Sequence, residues 1–557
     1  MDKMNKILIR NGLLFDPINK INGEIKDILI ESGKIVESLT SEKNVVEINA
    51  KGKTVIPAAL DIHTHIASQQ VNWARLLGSQ INKFVDIWQG LKLEKIARSY
   101  ISNGYTFITE ANVFPSLAKQ TIFNFKHIAV LDKAMLLNVS NLWPLELEFQ
   151  RGKIKDLAIF FADLLLKTKS FGLKIYNPFE NESWNFKELR NDISKNGRLY
   201  NFSALDVYQN LIECNEFLGL PHSAHAHIEG YEHEVGKKNL MILLEKLKSL
   251  NIAIKPNLNR SQIFHIAHAN TYNSDGDNER LIKILNETPN IGIDVGFLAF
   301  NEINPLITSD RRLINSMIIS KEDNNSHKLI SSAVESEGDS FVSIRHFDKN
   351  RFEDCILWAN ALDLALNLSN KFQISFSLNY PNYANITDIP EIITWLISKK
   401  ARDDYMRDMN HEFMKNNYLK DNNKVLDFFD LITITRASPA KSLGLGKIKG
   451  NLGIGADGDL NILDIDISKW DLSKDYTPLK KAFKNMEIVI KSGLIIKRND
   501  NFDLNTSGLI LWSNGKDELE EKNYIIGKKK EYYQKYSSMF YDSLKNSVDE
   551  KLLRKIE

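Results

Sequence analysis

Two of the chain's 12 histidines stand one residue apart in DIHTHIA, residues 61–67. In an extended segment side chains alternate faces, so His63 and His65 project to the same side, close enough to share one ion. That spacing is a chelate. Further residues of this kind follow downstream: Lys174 in SFGLKIYNPF, His225 and His227 in PHSAHAHI, His265 and His268 in FHIAHAN. Each pair alone is equally compatible with an ordinary half-buried strand. Imidazoles on several separate strands, however, suit zinc, a borderline-soft ion that favours nitrogen ligands. A protonated lysine has no lone pair to offer such an ion. Its neutral amine can add carbon dioxide, and the resulting carbamate is an anion able to bridge two metal ions roughly 3.5–4 Å apart.

Residues so far apart in the chain converge only if the fold collects the ends of its strands. From 57 to 439, strand-like runs such as GYTFITEANVF, DKAMLLNVSNLW, NIGIDVGFLAF and KFQISFSLNY alternate with amphipathic segments such as DLAIFFADLLLKT and NLMILLEKLKSLN. This alternation predicts a parallel α/β architecture, and its length predicts a (β/α)8 barrel of the TIM type with insertions. In a barrel the chemistry sits at the carboxyl ends of the strands, where the histidines and Lys174 would meet. Residues 1–56 and 440–500 carry short alternating runs broken by turn signals such as NG and SGK, which predict one small β-sandwich domain made from both ends of the chain. The charged stretch 401–423 reads as a solvated helical insertion or lid, and 501–557 as a charged helical extension.

Lys plus Arg number 72 and Asp plus Glu 71, a formal charge of +1, so neither nucleic acid nor an anionic membrane surface is expected as a partner. Two cysteines, Cys214 and Cys355, are too few for a disulfide framework and fit a reducing compartment. The opening MDKMNKILIRNGLLFDP has too short an apolar run for a secretory signal, and no stretch approaches the roughly 20 apolar residues of a membrane span. A cytosolic soluble protein is the expectation.

The order HxH, lysine, then histidines on two later strands resembles the amidohydrolase superfamily, whose pattern places HxH on strand 1, a carboxylated lysine on strand 4 and histidines on strands 5 and 6. VIPAALDIHTH resembles the approach to strand 1, and ITRASPAKSLGLGKIKGNLGIGADGDLNILD at 433–463 resembles the return to the β-sandwich. More narrowly, DIHTHIASQQVNWARLL (61–77), GLKIYNP (172–178), LGLPHSAHAHIEG (218–230), NIGIDVG (290–296), DCILWANALDLAL (354–366) and YPNYANITDIPEIITWL (380–396) resemble the A subunits of formylmethanofuran dehydrogenase and of the methylotroph formyltransferase/hydrolase complex. The resemblance implies zinc-dependent hydrolysis of an N-formyl methanofuran-type (methylofuran) coenzyme to formate and free amine, within a complex of several subunits in one-carbon metabolism. It implies metal ligands at His63, His65, Lys174, His227 and His268, with two zinc ions bridged by carboxylated Lys174. His265 is the alternative to His268, and His227 is preferred to His225 because it directly precedes IEG.

One position departs from this pattern. The superfamily closes its ligand set with an aspartate on strand 8 that also accepts a proton from the attacking water. Here SFSLNYPNYAN places Asn379 there, with Tyr380 where the subfamily has a histidine, and the next aspartate along, Asp388, falls in a turn. An amide carries no charge and accepts no proton near neutral pH, and general base catalysis contributes roughly 10²–10⁴ in rate. Tyr380 and His222 are alternatives only by their place in the chain. A slow hydrolase, a catalytically impaired scaffold within the complex, or an amidohydrolase for another amide such as a cyclic ureide all remain open at this point.

Overall fold

The computed structural model describes residues 6–557 except 69–70, 72–91, 141–153, 180–190, 199, 251, 253–257, 301–303, 309, 311, 314–329, 335–337, 346, 516–521 and 537–539. Much of the motif at 61–77 therefore lies outside the described residues. Eight parallel strands form the central sheet: β1 Ala59–Thr64, β2 Tyr105–Val113, β3 Asp132–Asn138, β4 Gly172–Tyr176, β5 Ala224–His227, β6 Phe264–Ile266, β7 Ile291–Gly296 and β8 Ile374–Ser377. Each pairs in order with the next. The ends meet where Thr64 bridges to Tyr380 and the His65 N–H donates to the Tyr380 carbonyl at 2.7 Å, which nearly closes a TIM-like barrel. The strands are buried along their whole length, as expected of a parallel sheet covered on its outer face by helices.

The connecting segments show how local chemistry delivers the chain to each strand. Before β5, Ser203 caps the helix Ala204–Leu218: its hydroxyl accepts the Asp206 N–H, and the Asp206 carboxylate accepts the Ser203 N–H. Gly219 ends that helix at φ 65°, a left-handed conformation natural to glycine, and the chain turns directly into β5. The segment DLAIFFADLLLKT and most of NLMILLEKLKSLN, through Ser249, fall in the helices Ile154–Thr168 and Glu234–Ser249, both with their apolar faces buried.

A second, nine-stranded sheet takes strands from both ends of the chain. Lys6–Asp16 pairs with Ile21–Glu31, Val45–Asn49 and Thr54–Pro57. Thr54–Pro57 then pairs with Leu460–Leu463, which continues through Ile488–Lys491 and Leu494–Arg498 to Asn501–Phe502. Three features were not anticipated. Between β7 and β8 lies a three-stranded antiparallel sheet, Asn304–Thr308, Gly338–Arg345 and Ile330–Val334. The tail holds the helix Lys522–Tyr536 but also the strand Ile510–Trp512, which joins β3 at Lys133 and pairs with Leu553–Lys555. The charged insertion forms the helices Lys399–Met406 and His411–Asn416, yet buries Arg402, Met406 and Phe413. No helix among the described residues is long and apolar enough to cross a membrane.

Candidate metal centre

Register places the chemistry-bearing side chains in layers inside the barrel. Lys174 on β4 is level with His225 on β5, which is level with His265 on β6; two residues further along, Tyr176 is level with His227. The His63 ring centroid lies 5.2 Å from those of His65, His225 and His268, and the His227 and His268 rings are 4.9 Å apart. His225 and His265 are 4.6 Å apart, with His222 next to both. The structure thus brings together all the histidines singled out in the sequence.

Their nitrogens divide them into two groups. Each of His63, His65, His227 and His268 has an oxygen facing Nδ1. These are Asp294 Oδ2 at 3.2 Å, Glu110 Oε1 at 3.7 Å, Asn177 Oδ1 at 2.8 Å and Thr271 Oγ1 at 3.0 Å. The Thr271 hydroxyl gives its own proton to the His268 carbonyl at 2.8 Å, so it faces the ring as an acceptor. The Asn177 amide is held the same way round by Asp310, whose Oδ2 accepts from Nδ2 at 2.8 Å. At His63, His227 and His268 the oxygen is within hydrogen-bond distance, which keeps the proton at Nδ1 and leaves Nε2 its lone pair, whereas Glu110 faces His65 Nδ1 without a hydrogen bond. Among the described residues none of these four Nε2 atoms makes a hydrogen bond. The second group lies among its own partners. His265 uses both nitrogens, to Ser442 Oγ at 3.0 Å and Asp294 Oδ2 at 3.1 Å. His222 bonds the Ser442 carbonyl at 2.7 Å and His225 Nδ1 at 3.1 Å.

Burial sets the charge states. It pushes His63 and His222 down to about 3 and holds His225, His227 and His268 well below the ordinary histidine value, so these rings are neutral and their lone pairs available. Burial opposes ionisation of Asp294, but His63 and His265 outweigh it and hold the carboxyl well below its usual range. Burial also pushes Lys174 down to about 7, against the opposing pull of Asp294. Its amine makes no hydrogen bond, and neither does His225 Nε2, although both are buried. Unpaired buried polar atoms are costly and rare. A neutral lysine amine without a partner, beside imidazoles with free Nε2 atoms, fits a zinc centre that includes a carbamate.

At the end of β8, Asn379 has φ 44°, donates its N–H to Ser377 Oγ at 3.0 Å and accepts from Asn382 Nδ2 at 3.3 Å. Tyr380 contributes its carbonyl to His65, and His222 sits in the layer with His225 and His265. Two carboxylates that sequence reasoning overlooked face the HxH pair: Asp294 on β7 and Glu110 on β2, both fully buried. A signal existed for each. NIGIDVG and GYTFITEANVF each carry one acid in an otherwise uncharged strand, and a buried carboxylate has a specific partner or a job.

The backbone matches a chain of the crystal structure of the formyltransferase/hydrolase complex (FhcABCD) from Methylorubrum extorquens in complex with methylofuran, with TM-score 0.86 over 99% of each chain at 22% identity. The model of the amidohydrolase family matches residues 359–496. The chain has an amidohydrolase fold. The chain is homologous to Protein FwdA of Methanocaldococcus jannaschii, 29% identical over 551 residues and 94% of each chain. It is likewise homologous to the A subunit of the formyltransferase/hydrolase complex Fhc of Methylorubrum extorquens, 24% identical over 533 residues, covering 91% of this chain and 90% of that one.

Proposed function

We propose that this amidohydrolase hydrolyses the N-formyl group of a methanofuran-type coenzyme to formate and free amine, as one member of a formyltransferase/hydrolase complex. The observation that carries the reading is the set of four histidines faced by oxygens at Nδ1 and free at Nε2, around the partnerless amine of Lys174. Homology to the A subunit of the formyltransferase/hydrolase complex, whose crystal structure is in complex with methylofuran, supports the substrate class. His63, His65, Lys174, His227 and His268 are the residues that hold two zinc ions, Lys174 as a carbamate.

When bound, zinc polarises a carbonyl oxygen and lowers the pKa of water. The chain's own residues prepare the rest. Strand ends deliver the donors, the Nδ1 acceptors fix His63, His227 and His268 in one tautomer, and burial keeps these three imidazoles neutral at the pH of the reaction. Asn379 can orient water through its amide but cannot take the proton that an aspartate would take. Turnover is accordingly slow. A second reading, a scaffold without hydrolysis, is favoured by the same residue, whose amide oxygen is engaged by Asn382.

The deciding experiment measures formate released from an N-formyl methanofuran-type coenzyme by the purified zinc-loaded protein, native and with Asn379→Asp or Lys174→Ala. Slow release by the native protein, abolished by Lys174→Ala and raised by Asn379→Asp, is the expected result. Release only by the Asn379→Asp variant establishes the scaffold reading. Faster turnover of a cyclic ureide overturns the substrate, and no release by any form overturns the activity.

A further inference from the structure

We propose that Asp294 is the positioning residue of this centre, and that its charge stands in for the carboxylate missing at Asn379. The inference rests on the metal-binding reading above. Asp294 is the one acid of β7, at the centre of a fully buried strand. Its two oxygens divide their work. Oδ2 receives ring nitrogens from two strands, His63 Nδ1 of β1 at 3.2 Å and His265 Nε2 of β6 at 3.1 Å, with His225 Nε2 at 3.6 Å. Oδ1 accepts the backbone N–H of His268 at 2.7 Å.

That last bond holds a costly conformation. His268 has φ 32°, in the left-handed region that residues with a side chain rarely adopt. The turn carries the His268 ring away from β6 and beside His63 and His227. One carboxylate therefore orients His63 through its ring and His268 through its backbone, and these two come from distant parts of the chain.

Charge makes the second half of the case. Beside the Lys174 carbamate the ligand set offers only imidazoles and, at Asn379, an amide, so a site lacking the strand 8 carboxylate holds metal less firmly. Asp294 is a buried carboxyl group hydrogen-bonded directly to His63, where the field of a carboxylate acts at low dielectric. An imidazole that donates Nδ1–H to a carboxylate is also a more basic ligand through Nε2.

The test titrates metal-free protein with zinc and with cobalt, following the cobalt absorption. Asp294→Asn keeps the shape and removes the charge; it is expected to weaken metal binding 10- to 100-fold and to alter the cobalt spectrum. A purely structural role would not respond to charge restored elsewhere, so the double variant with Asn379→Asp is expected to recover most of the affinity. Unchanged binding in Asp294→Asn, with weaker binding in His63→Ala, overturns the inference and leaves the metal reading standing. Unchanged binding in both overturns the metal reading itself. Asn379→Asp alone decides the matter if Asp294→Asn does not fold: with Asp294 already compensating, the gain in affinity is expected to be under tenfold, and a gain of about 100-fold or more overturns the inference.

Discussion

Glu110 Oε1 lies 3.7 Å from His65 Nδ1 and accepts no hydrogen bond, while its other oxygen, Oε2, accepts the backbone N–H groups of Ile66 at 2.8 Å and Ala67 at 2.7 Å. The carboxylate thus shapes the turn that follows HxH and turns its unengaged oxygen to the second histidine. Asp294 does the same for the first. Each histidine of the motif is faced by a buried acid from another strand.

Glu110 therefore has two separable roles. Glu110→Ala strands two backbone donors in the interior and is expected to cost roughly 2–6 kcal/mol of stability, at about 1–3 kcal/mol per unsatisfied group. Glu110→Gln keeps an acceptor for them and loses the charge beside His65. It is expected to cost much less stability but to weaken zinc binding about tenfold. Denaturant unfolding of the metal-free variants and zinc titration separate the two effects. Equal zinc affinity in native protein and Glu110→Gln would show that the oxygen near His65 is incidental.

Lys174 makes a prediction about pH. In the folded protein it loses its proton near 7, whereas the unfolded chain keeps it to 10.5. Between those values unfolding takes up a proton, so the folded state gains stability as pH rises, by about 1.4 kcal/mol per unit at most. Below pH 7 the lysine is protonated in both states and the slope vanishes. Metal-free protein should therefore gain stability relative to Lys174→Met between pH 7.5 and 9, by on the order of 1 kcal/mol per unit. Other buried lysines cancel in that comparison. Parallel stability curves for the two proteins would mean that Lys174 is not buried as a neutral amine.

How much of this could be read from the chain follows from the physics of each element. The barrel strands were legible because a parallel strand covered by helices is an apolar run, and the HxH pairs because alternation puts both rings on one face. Asp294 and Glu110 were hidden because their partners lie on other strands: Asp294 is 231 residues from His63 and Glu110 is 44 residues from Ile66. The strands Ile510–Trp512 and Leu553–Lys555 were hidden for another reason. They are three residues long, and the second is largely polar, so their pairing with the barrel edge leaves no periodicity to detect.

The tail's attachment can be tested at Lys449. Its ammonium sits among Asp132 Oδ2 at 2.8 Å, Asp457 Oδ2 at 3.0 Å and Asp459 Oδ2 at 2.7 Å, and Arg554 of the tail reaches Asp457 at 2.7 Å. Burial opposes ionisation of Asp132 and Asp457, but Lys449, helped by Lys491 at Asp132 and by Arg554 and Lys34 at Asp457, outweighs it and holds both well below the usual carboxylate range. Such carboxylates contribute stability that is present above the unfolded value near 4 and lost as pH falls below it. Lys449→Met leaves three buried acids without their central cation and is expected to cost about 3–5 kcal/mol at pH 7. Relative to the native protein, the variant should regain stability from pH 7 to 5 as Asp132 and Asp457 take up protons. Urea unfolding of the variant and the native protein at the two pH values checks this, and a variant that gains nothing relative to the native protein on acidification would refute the central role of Lys449.

His268 and His265 offer the sharpest test of the ligand set. Both are buried histidines of the FHIAHAN segment, but His265 spends both ring nitrogens on Ser442 and Asp294, whereas His268 spends only Nδ1, on Thr271. A ring with no free nitrogen cannot ligate without breaking a bond it already makes. His268→Ala is therefore expected to lower zinc content by one ion per chain in a two-ion site, with little effect on metal-free stability beyond the lost packing. His265→Ala should retain full zinc content at saturation but lose about 1–3 kcal/mol of stability, because Asp294 and Ser442 each lose a partner. Metal analysis and unfolding of the same two preparations give both numbers. The opposite pattern, zinc lost in His265→Ala and kept in His268→Ala, would move the ligand down one layer of the barrel, to the level of Lys174 and His225.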